Sequence, residues 1–154
     1  MELRIERITA EYDSTIYSRL SELDKLCVGA DGWSEESFRS ECAKENGIVI
    51  GGFIGDKLTA LVSGYTAEGE ADITSVAVNP EYRRKGFAYQ LIGVFESILP
   101  ENTESIFLEV RESNFSAIGL YEKLGFEKLS VRKNFYVNPR ENAVVMQKRL
   151  IDIT

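Results

Sequence analysis

Apolar residues recur along the chain with two different periods, and these periods predict its first strand and helix. Leu3 to Ile8 predict a strand, in which apolar Leu3 and Ile5 alternate with charged Arg4 and Glu6. The next apolar residues follow at steps of three and four, namely Ile16, Leu20, Leu23 and Cys27. That spacing predicts an amphipathic helix whose apolar face packs on a core.

A glycine-containing break separates this helix from a second one. Gly29 to Gly32 interrupt the apolar period, and Ser34 stands where a helix N-cap is expected, with Glu35 in the first turn. Trp33 can pack against Phe38 as a hydrophobic staple across the start of the helix. We therefore expect a structural role for Trp33 in addition to any contact with a substrate.

The rest of the chain continues with short apolar runs and two further helical patterns. Strands are predicted at residues 47–54, 58–65, 71–78, 105–110, 126–132 and 143–148, and helices at residues 87 to about 100 and 114–124, the latter closed by Gly125. The order is therefore βααβββ followed by αβαββ, with no repeat or linker. The sequence predicts a mixed α/β fold and a single domain over residues 1–154.

Composition excludes several classes of protein and of chemistry. Eighteen basic against 25 acidic side chains give a net charge of -7, which disfavours a nucleic-acid partner. Two cysteines, Cys27 and Cys42, favour free thiols over a disulfide framework, and the absence of histidine removes the commonest metal ligand and general base. No apolar stretch is long enough for a membrane span. We expect a cytoplasmic protein without a metal, present as a monomer or weak dimer.

Residues 76–88 carry the clearest chemical signal. An apolar strand ends at the turn Asn79-Pro80, and a basic cluster, Arg83-Arg84-Lys85, precedes Gly86 and a helical pattern. The first amides of a helix have no internal partners and lie at the positive end of its dipole. A strand, a loop and a glycine-initiated helix in this order predict a site for a phosphate-like anion.

This loop, Arg83-Arg84-Lys85-Gly86-Phe87-Ala88, resembles the acyl-CoA loop Gln/Arg-x-x-Gly-x-Gly/Ala of the GNAT family of N-acetyltransferases. Two later segments, Leu108-Glu109-Val110-Arg111-Glu112-Ser113-Asn114 and residues 117–126, resemble the RimI subfamily of ribosomal-protein-alanine N-acetyltransferases. Further similarity lies in residues 33–35, 132–136 and 141–143. Ser75 departs from the subfamily, which often has asparagine at that position.

The resemblance implies a mostly antiparallel central sheet of six to seven strands, flanked by about four helices. A parallel pair of strands would be splayed apart to hold acetyl-CoA as cosubstrate. The residues implied in binding it lie on one strand, on the loop and at one helix start: Val76, Ala77, Val78, Arg83, Arg84, Lys85, Gly86, Phe87, Ala88 and Asn114.

The same resemblance implies the catalytic residues and the acceptor. Glu109 would be the general base that takes a proton from the attacking amine, and Tyr121 the general acid that protonates the departing thiolate. The acceptor would be the N-terminal α-amino group of a protein, of the ribosomal type, entering between residues 31–34 and 135–140. Trp33 and Tyr136 are the candidate acceptor-binding residues.

Two other functions remain open from the sequence. The chain could acetylate a small-molecule amine, or it could bind acyl-CoA without catalysis. The presence of both Glu109 and Tyr121 disfavours the second of these. Because both cysteines lie far in sequence from the loop and from Glu109, we expect direct transfer without a cysteine nucleophile.

Overall fold

The computed structural model describes residues 2–151, which form seven strands and four α-helices around one sheet. The strands are β1 (Leu3–Arg7), β2 (Gly47–Ile54), β3 (Lys57–Ala67), β4 (Glu70–Val78), β5 (Ser105–Arg111), β6 (Glu127–Val137) and β7 (Arg140–Arg149). The helices are α1 (Thr15–Val28), α2 (Glu35–Ala43), α3 (Phe87–Ser97) and α4 (Phe115–Lys123). Short 3-10 turns occupy Gly29–Asp31 and Pro80–Tyr82.

The sheet has the strand order β1-β2-β3-β4-β5-β7-β6. Every neighbouring pair is antiparallel except β4 and β5, which are parallel. Parallel neighbours need a crossover connection, and α3 supplies it between β4 and β5. The predicted fold class, a mostly antiparallel mixed sheet with one parallel pair and four helices, is confirmed.

Two hydrophobic clusters cover the two faces of this sheet. Alternate residues of β2 divide between them: Ile48 and Ile50 join the cluster that contains the apolar faces of α3 and α4, whereas Val49 joins the cluster of α1 and α2. Side chains that alternate along a strand point to opposite faces. Helices α3 and α4 therefore lie on one face, and α1 and α2 on the other.

Side-chain caps are present at the start of two helices, including the one predicted at Ser34. The Ser34 hydroxyl accepts a hydrogen bond from the amide of Ser37 (3.1 Å), and Asn114 Oδ1 accepts one from the amide of Ala117 (3.1 Å). Trp33 and Phe38 also pack as expected, with ring centroids 5.3 Å apart. These local features follow from the sequence because each involves residues within one helical turn.

The last two strands differ from the prediction. Both are longer, and β6 continues to Val137 instead of ending at Arg132. A register shift between Arg132 and Tyr136, with Asn134 at φ 55°, interrupts the alternation that the sequence pattern depends on. A bulge adds residues without a partner and so hides the end of a strand from a period-2 pattern.

None of the helices within residues 2–151 is long and apolar enough to cross a lipid bilayer.

Candidate active site

A gap opens between the two parallel strands of the sheet. β4 and β5 pair only from Glu70↔Ser105 to Ile73↔Leu108, and beyond this point they separate. On the other edge of β4 the register shifts by one residue, because Ser63 pairs with Ser75 while Gly64 pairs with Ile73. The extra residue bends β4 away from β5. The result is a cavity of about 540 Å³ that is lined by residues of both strands.

The free edge of β4 presents backbone amides to this gap. Asn79 donates to the carbonyl oxygen of Thr59 (2.8 Å), which makes this a hydrogen-bonded pair of the β3–β4 ladder. Hydrogen-bonded and non-bonded pairs alternate in antiparallel ladders. Val78 and Val76 are therefore the non-bonded positions, and their N–H groups point away from β3.

The three residues of β4 that are predicted to bind acetyl-CoA differ in what they contact. The Val78 carbonyl already accepts hydrogen bonds from Arg83 Nε (3.2 Å) and Cys27 Sγ (3.3 Å). The Ala77 side chain is buried in the cluster of α1 and α2, and Val76 lines the cavity. The structure thus brings Val76 to the cavity and leaves Ala77 as a core residue.

The loop before α3 has the form of an anion-binding turn. Arg84 and Gly86 both have positive φ, at 65° and 79°. The first hydrogen bond of the helix runs from Gln90 to the Gly86 carbonyl (3.1 Å), and within the described residues no backbone partner is present for the amides of residues 84–89. Successive free amides in such a turn form a concave site for phosphate oxygens.

Side chains of this loop differ in exposure. Arg83, Arg84, Lys85 and Gly86 are exposed, and a Cβ built on Gly86 would meet nothing within 4 Å. Phe87, in contrast, is buried and stacks on Tyr82 with ring centroids 6.1 Å apart. Only the backbone of Phe87 is therefore available to a ligand. Ala88 is half-buried in the first turn of α3.

The two candidate catalytic residues both line the cavity but come from different elements. Glu109 lies on β5, and its side chain is 30% exposed, with Oε1 3.9 Å from Arg132 Nη1. Tyr121 lies on α4 and is buried, with only 6% of its surface exposed. Burial raises the pKa of Tyr121, so its hydroxyl keeps its proton at neutral pH. Asn114, which caps α4, lines the same cavity.

The acceptor side of the cavity is closed by contacts around Arg111. Its Nη2 donates to Asp31 Oδ2 (3.1 Å) and to the Asn138 carbonyl (3.1 Å), and its Nη1 donates to the Pro139 carbonyl (2.9 Å). The guanidinium lies over the ring of Tyr136, 4.3 Å from its centroid. These contacts join the turn after α1 to the β6–β7 hairpin, the two segments between which the acceptor is expected to enter.

Trp33 and Tyr136 both line this part of the cavity. The Trp33 ring also packs on Phe38, so it has a structural contact as well as a cavity face. Burial, followed by the nearby charge of Glu109, raises the pKa of Tyr136 to about 12. Tyr136 therefore remains a neutral hydrogen-bonding phenol in the range in which enzymes work.

Sequence reasoning gave no role to Asp24, which the structure places in the cavity wall. Asp24 lies on α1 and is 2% exposed; its Oδ2 accepts hydrogen bonds from the Trp33 amide (2.7 Å) and from the Ser75 hydroxyl (3.4 Å). The sequence does contain one feature that could have pointed to Asp24. Its carboxylate lies beside Leu20 and Leu23 in the apolar stripe of α1, where a charged residue is unexpected.

Both cysteines lie far from the loop in sequence, but the fold brings one of them, Cys27, close to it in space. Cys27 Sγ bonds the Val78 carbonyl, beside Arg83, although 51 residues separate Cys27 from Val78. Both thiols are free, and burial raises their pKa, that of Cys42 to about 11. A thiol with a raised pKa is a poor nucleophile at neutral pH, so this proximity adds no argument for a covalent intermediate.

The cavity wall is acidic. Four carboxylates line it, on α1, the following turn, β4 and β5, together with one cation, Arg111. Within residues 2–151 no group of three or more His, Cys, Asp and Glu side chains is arranged to hold a metal ion. The charges therefore suit a positively charged small group, such as a protonated amine.

Comparison with known proteins places this geometry in context. The family model described as "Acetyltransferase (GNAT) family" matches residues 8–126. The [Ribosomal protein bS18]-alanine N-acetyltransferase of Escherichia coli (strain K12) is 32% identical over 125 residues, which cover 74% of this chain and 78% of that protein. The resemblance drawn from the loop and the two later segments is thereby confirmed.

Solved structures give the same picture for the backbone. The crystal structure of the ribosomal-protein-S18-alanine N-acetyltransferase from Escherichia coli matches with a TM-score of 0.83 at 26% identity, covering 99% of this chain and 97% of that one. A Bacillus subtilis acetyltransferase in complex with CoA matches with a TM-score of 0.75 at 20% identity, covering 97% of this chain and 100% of that one. The second likeness concerns the fold alone.

Proposed function

This chain belongs to the GNAT family of acetyltransferases, and from that premise we propose that it transfers the acetyl group of acetyl-CoA to the N-terminal α-amino group of a protein. We further propose an acceptor of the ribosomal type that begins with alanine. The observation that carries this choice is the likeness, over 99% of the chain, to an enzyme named for acetylation of a ribosomal-protein alanine. The acidic cavity wall, which suits a protonated amine, supports the same choice.

The donor fits the gap in the sheet. The amides of residues 84–89 and the exposed cations Arg83, Arg84 and Lys85 suit a pyrophosphate, because both backbone N–H groups and side-chain charge favour phosphate oxygens. The outward amides of Val76 and Val78 suit the extended arm and the thioester carbonyl. A backbone N–H group that donates a hydrogen bond to the developing negative charge on that oxygen stabilises the transition state of acyl transfer.

In the reaction the protonated amine loses two protons, and the departing thiolate takes up one. An α-amino group with a pKa of about 7.7 to 8.0 is mostly protonated near pH 7 and must lose a proton before it attacks. Glu109 is the candidate to accept that proton, because it lines the cavity and carries 30% exposed side-chain surface that water can reach. Nitrogen then bonds to the acyl carbon, the carbon–sulfur bond breaks, and the thiolate takes a proton from Tyr121. The nitrogen gives up its second proton, which restores the Tyr121 hydroxyl, so the net reaction releases the one proton that Glu109 accepted.

Trp33 and Tyr136 complete the proposal on the acceptor side. Both line the cavity next to the contacts of Arg111 that close it. We infer that residues 2–151 act as one catalytic domain, since both hydrophobic clusters pack on the same sheet.

A panel of short peptides tests the proposed acceptor. Release of the CoA thiol is measured with lysine-free peptides that differ in their first three residues. Each has a matched version with an acetylated N-terminus, and further controls are a blocked peptide with one internal lysine and a set of small amines. We expect turnover only with free N-termini, and the highest kcat/KM with alanine first. Turnover with small amines and none with any free N-terminal peptide would refute the proposed acceptor.

A further inference from the structure

The α1 side of the cavity contains a buried carboxylate that the proposed chemistry does not use. Asp24 is 2% exposed, and both hydrogen bonds that it accepts end on the same oxygen, Oδ2. Within residues 2–151 its other oxygen, Oδ1, accepts no hydrogen bond, and the residue lines the cavity. Asp24 is almost completely buried and lines the cavity, so its carboxylate has lost most of its hydration, and a hydrogen-bond donor that reaches Oδ1 from the cavity gains a strong interaction.

The two hydrogen bonds fix Asp24 between the two halves of the site. The Trp33 amide belongs to the turn on the acceptor side, and Ser75 precedes Val76 on the splayed strand β4. Oδ1 is thus held at the junction of the acceptor-side wall and the strand that faces the acyl donor. No cation of the described residues pairs with this carboxylate within salt-bridge distance.

We propose that Asp24 binds the protonated amine of the acceptor through Oδ1 and holds it beside β4 before the proton is lost to the general base. This inference rests on the proposed function, because it assigns a residue to the acceptor of that reaction. An ammonium group donates three hydrogen bonds. Its positive charge can pair with a desolvated carboxylate that has no other cationic partner.

The other charged groups that face the cavity do not replace Asp24 in this role. Asp31 is already paired with Arg111, and Asp72 lies further back where β4 and β5 still pair. Glu109 faces the cavity from β5, and Tyr65, Tyr121 and Tyr136 all have raised pKa values, so these phenols stay neutral from pH 6.5 to 9. On α1 itself the nearby titratable group is Cys27, whose pKa is raised by burial.

The test compares Asp24→Asn with two matched variants. Asparagine keeps an oxygen for the Trp33 amide and removes only the charge. Glu22→Gln makes the same change on an exposed position of α1, and Ser75→Ala removes the hydrogen bond to Oδ2 while the carboxylate stays. KM for a free N-terminal peptide, kcat and the affinity for CoA are measured at pH 6.5 and at pH 9.

For Asp24→Asn we expect KM for the peptide at pH 6.5 to rise about 10- to 100-fold, the range for a hydrogen bond to a charged group, with CoA affinity unchanged. At pH 9 the acceptor amine is mostly neutral, so the ratio of KM between variant and wild type falls towards one. Glu22→Gln keeps the wild-type KM. Ser75→Ala loses one of the two hydrogen bonds that fix Asp24 but keeps its charge, so it raises KM less than Asp24→Asn does. An unchanged KM, a ratio equal at both pH values, or the same loss in Ser75→Ala would overturn the inference.

A measurement on the wild-type protein covers the case in which Asp24→Asn does not fold. The NMR signal of the Asp24 carboxyl carbon is followed in the CoA complex. We expect it to shift on addition of a free N-terminal peptide and to stay in place with the same peptide lacking its amine. No shift with either peptide would overturn the inference.

The acceptor class itself is checked separately by wild-type turnover. If wild type uses a small amine and no peptide, the proposed function is wrong, and the same KM comparison with that amine decides on Asp24. If wild type uses no amine at all, both proposals are wrong.

Discussion

Replacing Tyr121 with phenylalanine removes one hydroxyl from the cavity and leaves the ring in place. The ring packs in the cluster of α3 and α4, 6.0 Å from Phe126 between centroids, and phenylalanine preserves this packing. Within the described residues the hydroxyl makes no hydrogen bond, so its removal leaves no protein group without a partner. We therefore expect the free energy of unfolding to change by less than about 1 kcal/mol.

The effect on turnover should be much larger. Protonation by a positioned acid contributes typically about 10²- to 10⁴-fold. We expect the lower end, about 10², because a thiol with a pKa near 8.5 gives a thiolate that departs readily even without help. The raised pKa of Tyr121 means that the proton is lost only when the pH rises through that raised value, so the deficit should be constant from pH 7 to 9.

The assay is the initial rate of CoA thiol release with a saturating peptide, together with thermal unfolding and CoA affinity. Tyr121→Ala is the matched control for packing, since loss of a buried aromatic ring costs about 3–5 kcal/mol and should lower stability as well as rate. A Tyr121→Phe variant with the wild-type rate would return Tyr121 to a purely structural role. If the wild-type rate declined as the pH rose towards 9 while the rate of Tyr121→Phe stayed constant, Tyr121 would be losing its proton below pH 9. That result would contradict a pKa of Tyr121 raised by burial.

Three other substitutions test the rest of the site. Glu109→Gln should lower kcat by about 10²- to 10⁴-fold without changing CoA affinity, measured by steady-state rates and calorimetry; unchanged turnover would exclude Glu109 as the base. Gly86→Ala places a side chain at φ 79°, so we expect the free energy of unfolding to fall by about 1–2 kcal/mol and CoA to bind more weakly. Wild-type affinity for CoA would exclude close approach of the ligand to this backbone. Arg111→Lys keeps the charge but loses the fork that contacts Asp31 and the hairpin, so KM for the peptide should rise about tenfold at constant CoA affinity; an equal loss of both would indicate general destabilisation.

Local sequence features predicted the order of elements and the loop before α3. Each of them depends on neighbours within about one turn, as with the cap at Ser34 or the glycine that begins α3. The positive φ of Arg84 was beyond this reasoning, because arginine shows no preference for that conformation and the fold imposes it. The same holds for the bulge before Tyr136, which extends β6 past its predicted end.

The acceptor side could not be predicted because its contacts are long-range. Ser75 and Asp24 are 51 residues apart, and Asp31 and Arg111 are 80 residues apart. Neither pairing can be predicted from local periodicity, and Asp31 and Arg111 are each, alone, typical of a solvated charge. A carboxylate inside the apolar stripe of α1 is the one local sign of this network, and it becomes interpretable only when β4 is seen beside the helix.

The gap in the sheet also explains why the two candidate catalytic groups come from different elements. Leu108 and Val110 belong to the cluster of α3 and α4, so Glu109 between them points to the opposite face, where α1 and α2 lie. Tyr121 belongs to the cluster that Glu109 turns away from. In a continuous sheet these side chains would be separated by the backbone, and only the divergence of β4 and β5 lets both reach one cavity. An amine approaching from the face of α1 would then meet its candidate proton acceptor, and a thiolate departing towards α4 its candidate proton donor, within one cavity.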